Sequence, residues 1–150
     1  ARHYAQAWTF LRQHGVQPPA AEAKRLLGVV IEVDRGAAGL DLPAAYPERT
    51  ARFYAGTGGG IGWGRAHGSP DAHIGALLDA SKAVLDRIGP WTQPRLPPPP
   101  AEHIRLNFLA PSGLHFGQAP FAMFEQDALA GPVVRAGTAL LQALIAVNQR

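Results

Sequence analysis

The stretch of the chain best suited to chemistry is a run of glycines, Gly56-Thr-Gly-Gly-Gly-Ile-Gly-Trp-Gly64. Backbone N–H groups without side chains can wrap an anion, and the N-terminus of a following helix adds a favourable potential. We therefore consider Gly58, Gly59, Gly60 and Arg65 as a candidate anion-binding site. The spacing matches neither G-x-G-x-x-G nor the G-K-[ST] ending of a P-loop. A glycine-rich strand or bulge is the alternative, and the spacing favours it.

Histidines, serines and paired acids are the other residues that could carry chemistry. The six histidines form no H-x-x-x-H or H-E-x-x-H pair, which argues against a metal site. The serines lack the G-x-S-x-G arrangement of a nucleophile elbow. Glu32 and Asp34 lie two residues apart on one predicted strand face, with no visible partner base. We therefore assign no catalytic residue, no metal and no cofactor.

Composition limits the size of the protein and the class of its partners. A chain of 150 residues with 47% hydrophobic content is expected to form a single domain, residues 1–150, with its own core. The formal net charge is only +3, and the cations are spread between carboxylates along the chain, which argues against nucleic-acid binding. Cysteine is absent, so disulfides, thiolate metal sites and cysteine nucleophiles are excluded.

The length of the apolar runs bears on where in the cell the protein is located. No run approaches the length of about 18 residues that a membrane span needs, and the first residues lack the apolar core of a signal peptide. We therefore expect a cytoplasmic protein without a membrane partner. Because Ala1 is not an initiator methionine, an export signal upstream of it stays an open alternative.

The first half of the chain alternates between helix and strand patterns. Apolar residues at helical spacing predict a helix over residues 3–14, so that residues 1–19 form an N-terminal helix and linker. Alternating β-branched and apolar residues predict strands over 27–34 and 49–55. A weaker strand is expected over 40–46, where Pro43 restricts it to an edge or a bulge.

The second half begins with the most regular helix pattern of the chain. Ser69 and Pro70 suit a helix N-terminus, and the helical period then continues to Ile88. Residues 89–102 form a proline-rich connector, which we expect to lie extended on the surface without hydrogen-bonding into the domain. Two alternating runs, 103–110 and 114–117, predict a hairpin, and apolar spacing predicts a closing helix over 129–145.

This order, α-βββ-α-ββ-α, predicts an α+β fold with two layers, in which an antiparallel sheet of about five strands carries helices on one face. If every strand turns its apolar residues toward the helices, the opposite face collects polar side chains. A mixed surface with arginine and tyrosine suits protein contacts, and a wetted sheet face without a partner is the alternative. The candidate interaction face consists of Glu32, Asp34, Arg52, Tyr54, Arg105, Asn107 and His115.

Three segments also carry a resemblance to other proteins: Leu27-Gly-Val-Val-Ile-Glu32, Thr50-Ala-Arg-Phe-Tyr-Ala-Gly-Thr-Gly-Gly-Gly-Ile-Gly62 and Phe108-Leu-Ala-Pro-Ser-Gly-Leu114, followed by Pro132. Over residues 27–146, the chain resembles a family of small, uncharacterised bacterial proteins in which a strand runs into a triple-glycine tract before a long helix. The resemblance implies a shared fold and brings no catalytic residue. The order of elements is also similar to roadblock and profilin-like domains, whose dimers act as adaptors or regulators of small GTPases, but only at the level of the fold.

Two main hypotheses about function follow. The first is a non-enzymatic protein-interaction or regulatory module that forms a homodimer or holds another protein, through the polar sheet face or an apolar edge around Trp63 and Trp91. The second is a small-molecule or nucleotide-binding protein, or an enzyme, that uses the glycine tract. An immunity-type protein that neutralises a toxin fits the size alone. The absence of a catalytic motif favours the first hypothesis.

Overall fold

A continuous antiparallel sheet forms the centre of the computed structural model, which describes residues 2–64 and 69–149. Neighbouring strands follow the order β4-β3-β2-β1-β5-β6, and every pair is antiparallel. The predicted α+β class with an antiparallel sheet is therefore confirmed, with six strands instead of about five. The strands are β1 (Gly28–Asp34), β2 (Leu40–Tyr46), β3 (Thr50–Tyr54), β4 (Gly60–Trp63), β5 (His103–Ala110) and β6 (Gly113–Pro120).

Two long helices pack against each other and against one face of the sheet, which we call the helix face. The opposite face is called the outer face below. The helices are α1 (Arg2–Gln13), α2 (Ala20–Ala23), α3 (Ser69–Leu85), α4 (Phe121–Gln126) and α5 (Ala130–Asn148), with a short 3-10 helix at Gly36–Ala38. The two long helices that pack on the helix face are α3 and α5. The short α4 lies in a stretch for which the sequence predicted no element.

The central strand β1 anchors the hydrophobic core. Val29 lies opposite Phe108, and Ile31 lies opposite Leu106, with all four side chains buried on the helix face. Helix α5 comes very close to this strand at Gly137, where an added Cβ atom would stand 2.4 Å from Cδ1 of Ile31. The missing side chain therefore lets the helix pack directly on the middle of the sheet.

The glycine tract forms a hairpin and an edge strand. The Ala55 N–H donates to the Gly59 carbonyl at 2.8 Å, and the Gly58 N–H donates to the Ala55 carbonyl at 2.9 Å. Gly58 has a φ of 99°, the left-handed region in which glycine closes a three-residue hairpin loop. Beyond the loop, Ile61 and Trp63 pack partly buried against the core. Strand β4 is therefore the glycine-rich strand that the spacing of the glycines favoured over an anion-binding site.

The proline-rich connector crosses the outer face. The Trp91 N–H donates to the Leu114 carbonyl at 2.7 Å, and the Trp91 ring packs edge-on against Phe116 with 5.0 Å between ring centroids. Farther along, the carbonyl groups of Leu96 and Pro97 accept hydrogen bonds from Arg105. The expectation that this segment makes no hydrogen bonds into the domain was wrong, because proline keeps its carbonyl acceptor although it lacks an N–H.

Helix α1 has no buried residue and is held to the rest of the chain by side-chain hydrogen bonds. The Arg12 guanidinium donates to the Pro111 carbonyl, and the Tyr4 hydroxyl donates to the Glu22 carboxylate at 3.3 Å. A cleft of about 390 Å³ separates α1 from the sheet. It is lined by Arg2, Ala5, Gln6, Thr9, Leu27, Tyr46 and Leu109.

Helix α5 is long and apolar enough, by length and composition, to cross a membrane. The sequence-based expectation that no segment approaches this length overlooked it. Val133, Leu140 and Leu144 of α5 are buried in the core against α3 and the sheet. Such packing is typical of the core helix of a folded domain.

Candidate interaction surface on the outer face of the sheet

The seven residues of the candidate interaction face do not form one open surface. Glu32, Arg105 and Asn107 lie on the outer face but are buried, whereas Arg52 and Tyr54 are exposed. The outer face therefore has a closed half over β1, β5 and β6, and an open half over β2, β3 and β4. Asp34 is half-buried at the end of β1, where its Oδ1 accepts the Gly36 N–H at 3.2 Å.

A buried ion pair holds the closed half together. Nη1 of Arg105 donates to the Glu32 carboxylate at 3.0 Å, and the Asn107 amide donates to the same oxygen at 3.1 Å. Glu32 is 3% exposed and Arg105 is 2% exposed. An unpaired charge at this depth would be costly, so each charge depends on the other. These polar residues were predicted to face solvent, but they are buried because each provides the hydrogen-bond or ion-pair partner of another.

The connector supplies the cover over this ion pair. Arg95 reaches the second Glu32 oxygen at 2.9 Å, although the Arg95 side chain itself is 68% exposed. The Arg105 guanidinium also donates to Gln118 Oε1 at 2.9 Å and 2.7 Å and lies 5.6 Å from the centroid of the Phe116 ring. The closed half is thus occupied by the protein's own chain.

The open half presents Arg52 and Tyr54 on β3. Nη1 of Arg52 donates to the Tyr54 hydroxyl at 3.4 Å, and this hydrogen bond raises the pKa of Arg52. Burial raises the pKa of Tyr46, and a tyrosine hydroxyl is protonated at neutral pH even without this shift. The surface thus combines phenol and guanidinium donors around a polar cleft of about 260 Å³. The cleft is lined by Arg2, Tyr46, Glu48, Thr50, Arg52 and Tyr54.

His115 was predicted on the outer face but lies on the helix face. The two-residue turn after Ala110 pairs that residue with Gly113, and this register places His115 opposite a buried core position. His115 is fully buried, with Nδ1 at 3.1 Å from the Gly113 carbonyl and Nε2 at 3.4 Å from Ser112 Oγ. Burial lowers the pKa of His115. Because the Ser112 hydroxyl already donates to the Ala23 carbonyl, this pair is not arranged for nucleophilic attack.

The candidate anion site is only partly within the described residues. Gly58, Gly59 and Gly60 belong to the β3–β4 hairpin, where the Gly58 N–H is already donated within the turn and Gly60 pairs with Tyr54. Arg65 lies outside the described residues. The anion site therefore stays a prediction.

Some residues of this surface escaped the sequence reasoning. Phe116 lies within the predicted strand 114–117 and Gln118 one residue beyond it, and the strand period, continued to Pro120, could have placed both on the outer face. Arg95 gave no comparable signal, because the connector around it has no periodic pattern.

Fold and surface together define a two-layer α+β protein whose outer face is half covered by its own connector. In residues 2–64 and 69–149, no group of three or more His, Cys, Asp or Glu side chains could hold a metal ion. Comparison of the chain with protein-family models, with curated proteins and with solved structures found no match in any of the three. The similarity to a bacterial family and to roadblock and profilin-like domains therefore remains a prediction.

Proposed function

We propose that the protein is a non-enzymatic protein-interaction module that holds its partner on the open half of the outer face. The observation that carries the proposal is the exposed pair Arg52 and Tyr54 beside the polar cleft. Tyrosine and arginine are among the residues that contribute most binding energy at protein interfaces. Tyr54 is 48% exposed, which leaves a large aromatic surface for a partner to cover.

The position of these two residues supports the same function. Both lie on β3, which is paired on one side with β2 and on the other with β4. Strand pairing fixes their backbone before a partner arrives, which reduces the entropy lost on binding. A wetted sheet face without a partner is the alternative, and it predicts that nothing contacts Tyr54 in the cell.

The chemistry of the described residues gives an enzyme less support. Ser112 and His115 come within 3.4 Å of each other, but the histidine is fully buried and the serine hydroxyl is engaged by a carbonyl. Substrate access and a free nucleophile are both required for covalent catalysis. A binding role for the exposed surface is therefore favoured.

Site-specific photo-crosslinking tests the proposed surface. A benzoyl-phenylalanine at position 54 is expected to form adducts with a defined protein in cells, identified by mass spectrometry. The same residue at Met123, which is 64% exposed on α4, serves as the control and is expected to form none. Arg52→Ala in the position-54 variant should reduce the adduct. Equal labelling from both positions, or none from position 54, contradicts the proposal.

A further inference from the structure

Strand β4 presents backbone hydrogen-bonding groups at one edge of the sheet. In the strand order of the sheet, β4 is an outermost strand, and within the described residues its neighbour is β3. The Ala55 N–H donates to the Gly59 carbonyl, and hydrogen-bonded positions alternate along an antiparallel ladder. From the register of β3 and β4, the N–H and C=O groups of Ile61 and Trp63 therefore point toward β3. Those of Gly60 and Gly62 point away from the sheet.

The edge strand β4 is short, at four residues, but it contains neither a charged residue nor a proline. Charged side chains, proline and bulges protect sheet edges in natural proteins, yet β4 reads Gly60-Ile-Gly-Trp63. The other edge strand, β6, differs because its Leu114 carbonyl accepts the Trp91 N–H. Gly60 and Gly62 are exposed, and an added Cβ atom at Gly62 would meet nothing within 4 Å. The exposure of both glycines leaves their outward backbone groups accessible to a further strand.

The sequence of the edge is complementary to itself. The segment Gly60-Ile-Gly-Trp-Gly64 is symmetric about Gly62 in the alternation of glycine and large apolar residues. A two-fold axis perpendicular to the sheet, midway between the two copies of Gly62, pairs Gly62 with its own copy and Ile61 with Trp63 of the partner subunit. Both apolar side chains then lie on the helix face, where cross-strand pairs of aromatic and β-branched residues are stabilising. The outward groups of the glycines supply up to about six backbone hydrogen bonds in this register.

We propose that a second copy of this chain pairs with β4 in antiparallel orientation, about a two-fold axis at Gly62. The pairing goes beyond the proposed function, because it uses the edge of the sheet and leaves the open half of the outer face uncovered. Pairing of one short strand buries less than the roughly 1,200 Å² of a small standard interface. The dimer is therefore weak and concentration-dependent, and its two sheets join into one sheet with α3 and α5 of both copies on the same face.

Single cysteines test the register directly, because the chain contains no cysteine of its own. Residues at a hydrogen-bonded antiparallel pair have Cα atoms about 5.5 Å apart, within disulfide range. Gly62→Cys is therefore expected to form a disulfide dimer under mild oxidation. Gly60→Cys is the matched control, because the two copies of residue 60 lie about 14 Å apart in this register. Equal yields from the two variants, or no dimer from Gly62→Cys, overturn the proposal.

Sedimentation of the unmodified chain tests the affinity. Proline is tolerated at an edge position whose N–H faces solvent, so Gly62→Pro is expected to keep the fold, checked by circular dichroism. It removes the two hydrogen bonds at the axis and should raise the dimer dissociation constant about tenfold. A monomer at all concentrations overturns the edge pairing. If a different protein then crosslinks to position 54, the proposed function still holds. An edge-paired dimer without any adduct at position 54 supports the pairing and contradicts the proposed surface.

Discussion

Arg105 and Glu32, on the neighbouring strands β5 and β1, form an ion pair of 3.0 Å beneath the proline-rich connector. The two residues are 73 positions apart in the chain. Their pairing turns a polar sheet face into a closed layer, because the guanidinium then binds the connector carbonyls of Leu96 and Pro97 as well. The proposed contact surface is consequently restricted to the other half of that face.

Removing the carboxylate should destabilise the protein strongly. Glu32→Ala leaves the Arg105 guanidinium buried without a counter-charge, and breaking a buried pair in this way costs about 3–5 kcal/mol of unfolding free energy. Urea denaturation followed by circular dichroism measures the loss. Arg95→Ala is the control, because the Arg95 side chain is mostly exposed and an exposed pair contributes about 1 kcal/mol or less. Equal losses of unfolding free energy in both variants would contradict the claim that the buried ion pair stabilises the protein more than the exposed one.

The buried His115 predicts a pH dependence of stability. Burial lowers its pKa in the folded protein below the ordinary value of 6.5, so the unfolded chain binds this proton at a higher pH than the folded chain. Stability that is present above pH 6.5 is therefore lost as the pH falls from there toward the folded pKa. Urea midpoints measured from neutral to mildly acidic pH should fall for the unmodified chain. They should fall less for His115→Gln, and an unchanged slope in that variant would refute the assignment.

Glycine is required at one position of the tract and not at another. An added Cβ atom at Gly56 would lie 2.3 Å from the Ala38 carbonyl oxygen and 2.5 Å from the Leu40 nitrogen, both backbone atoms. Gly56→Ala should therefore lower the unfolding free energy by about 1–3 kcal/mol, as overpacking does. At Gly59 nothing lies within 4 Å of an added Cβ atom. Gly59→Ala should therefore change the unfolding free energy by about 0.5 kcal/mol or less. Thermal unfolding of both variants checks the difference, and a neutral Gly56→Ala would argue against this close approach.

Anions should not stabilise the protein through the glycine tract. The Gly58 N–H already donates a hydrogen bond within the hairpin. Fewer backbone N–H groups are therefore left to bind a phosphate. A ligand at 100 times its dissociation constant adds about 2.7 kcal/mol of stability. Thermal shifts with inorganic phosphate and nucleotides are expected to match sodium chloride of equal ionic strength. A specific shift that Arg65→Ala abolishes would favour the nucleotide-binding hypothesis instead.

Much of the sheet could be predicted from the sequence, because Ile31, Val33 and Leu106 alternate with polar residues in runs rich in strand-forming residues. Strand β4 could not be found in the same way. Gly60 and Gly62 lower its strand propensity, and only the alternation of Ile61 with Trp63 pointed to it. The sequence favoured a strand or a bulge in this tract, and the pairing with β3 shows that it is a strand.

The site was less predictable than the fold, because it depends on register and on the path of the connector. His115 lies on the helix face because a turn of two residues precedes β6, and a turn one residue longer would have reversed that assignment. Whether Glu32 meets solvent is decided by the connector, in which prolines leave no periodic signal. Arg52 and Tyr54 lie exposed on the outer face, where the alternation of β3 alone predicted them.

The hydrogen bond between Trp91 and Leu114 has a consequence for assembly size. Within residues 2–64 and 69–149, it makes the two ends of the sheet unequal, with bare backbone at β4 and a capped carbonyl at β6. A head-to-tail chain of subunits joins two different edges and can grow into a fibre, whereas a two-fold pairing joins two identical edges. In the pairing proposed above, both copies of β4 are used, so growth through that edge would stop at two subunits.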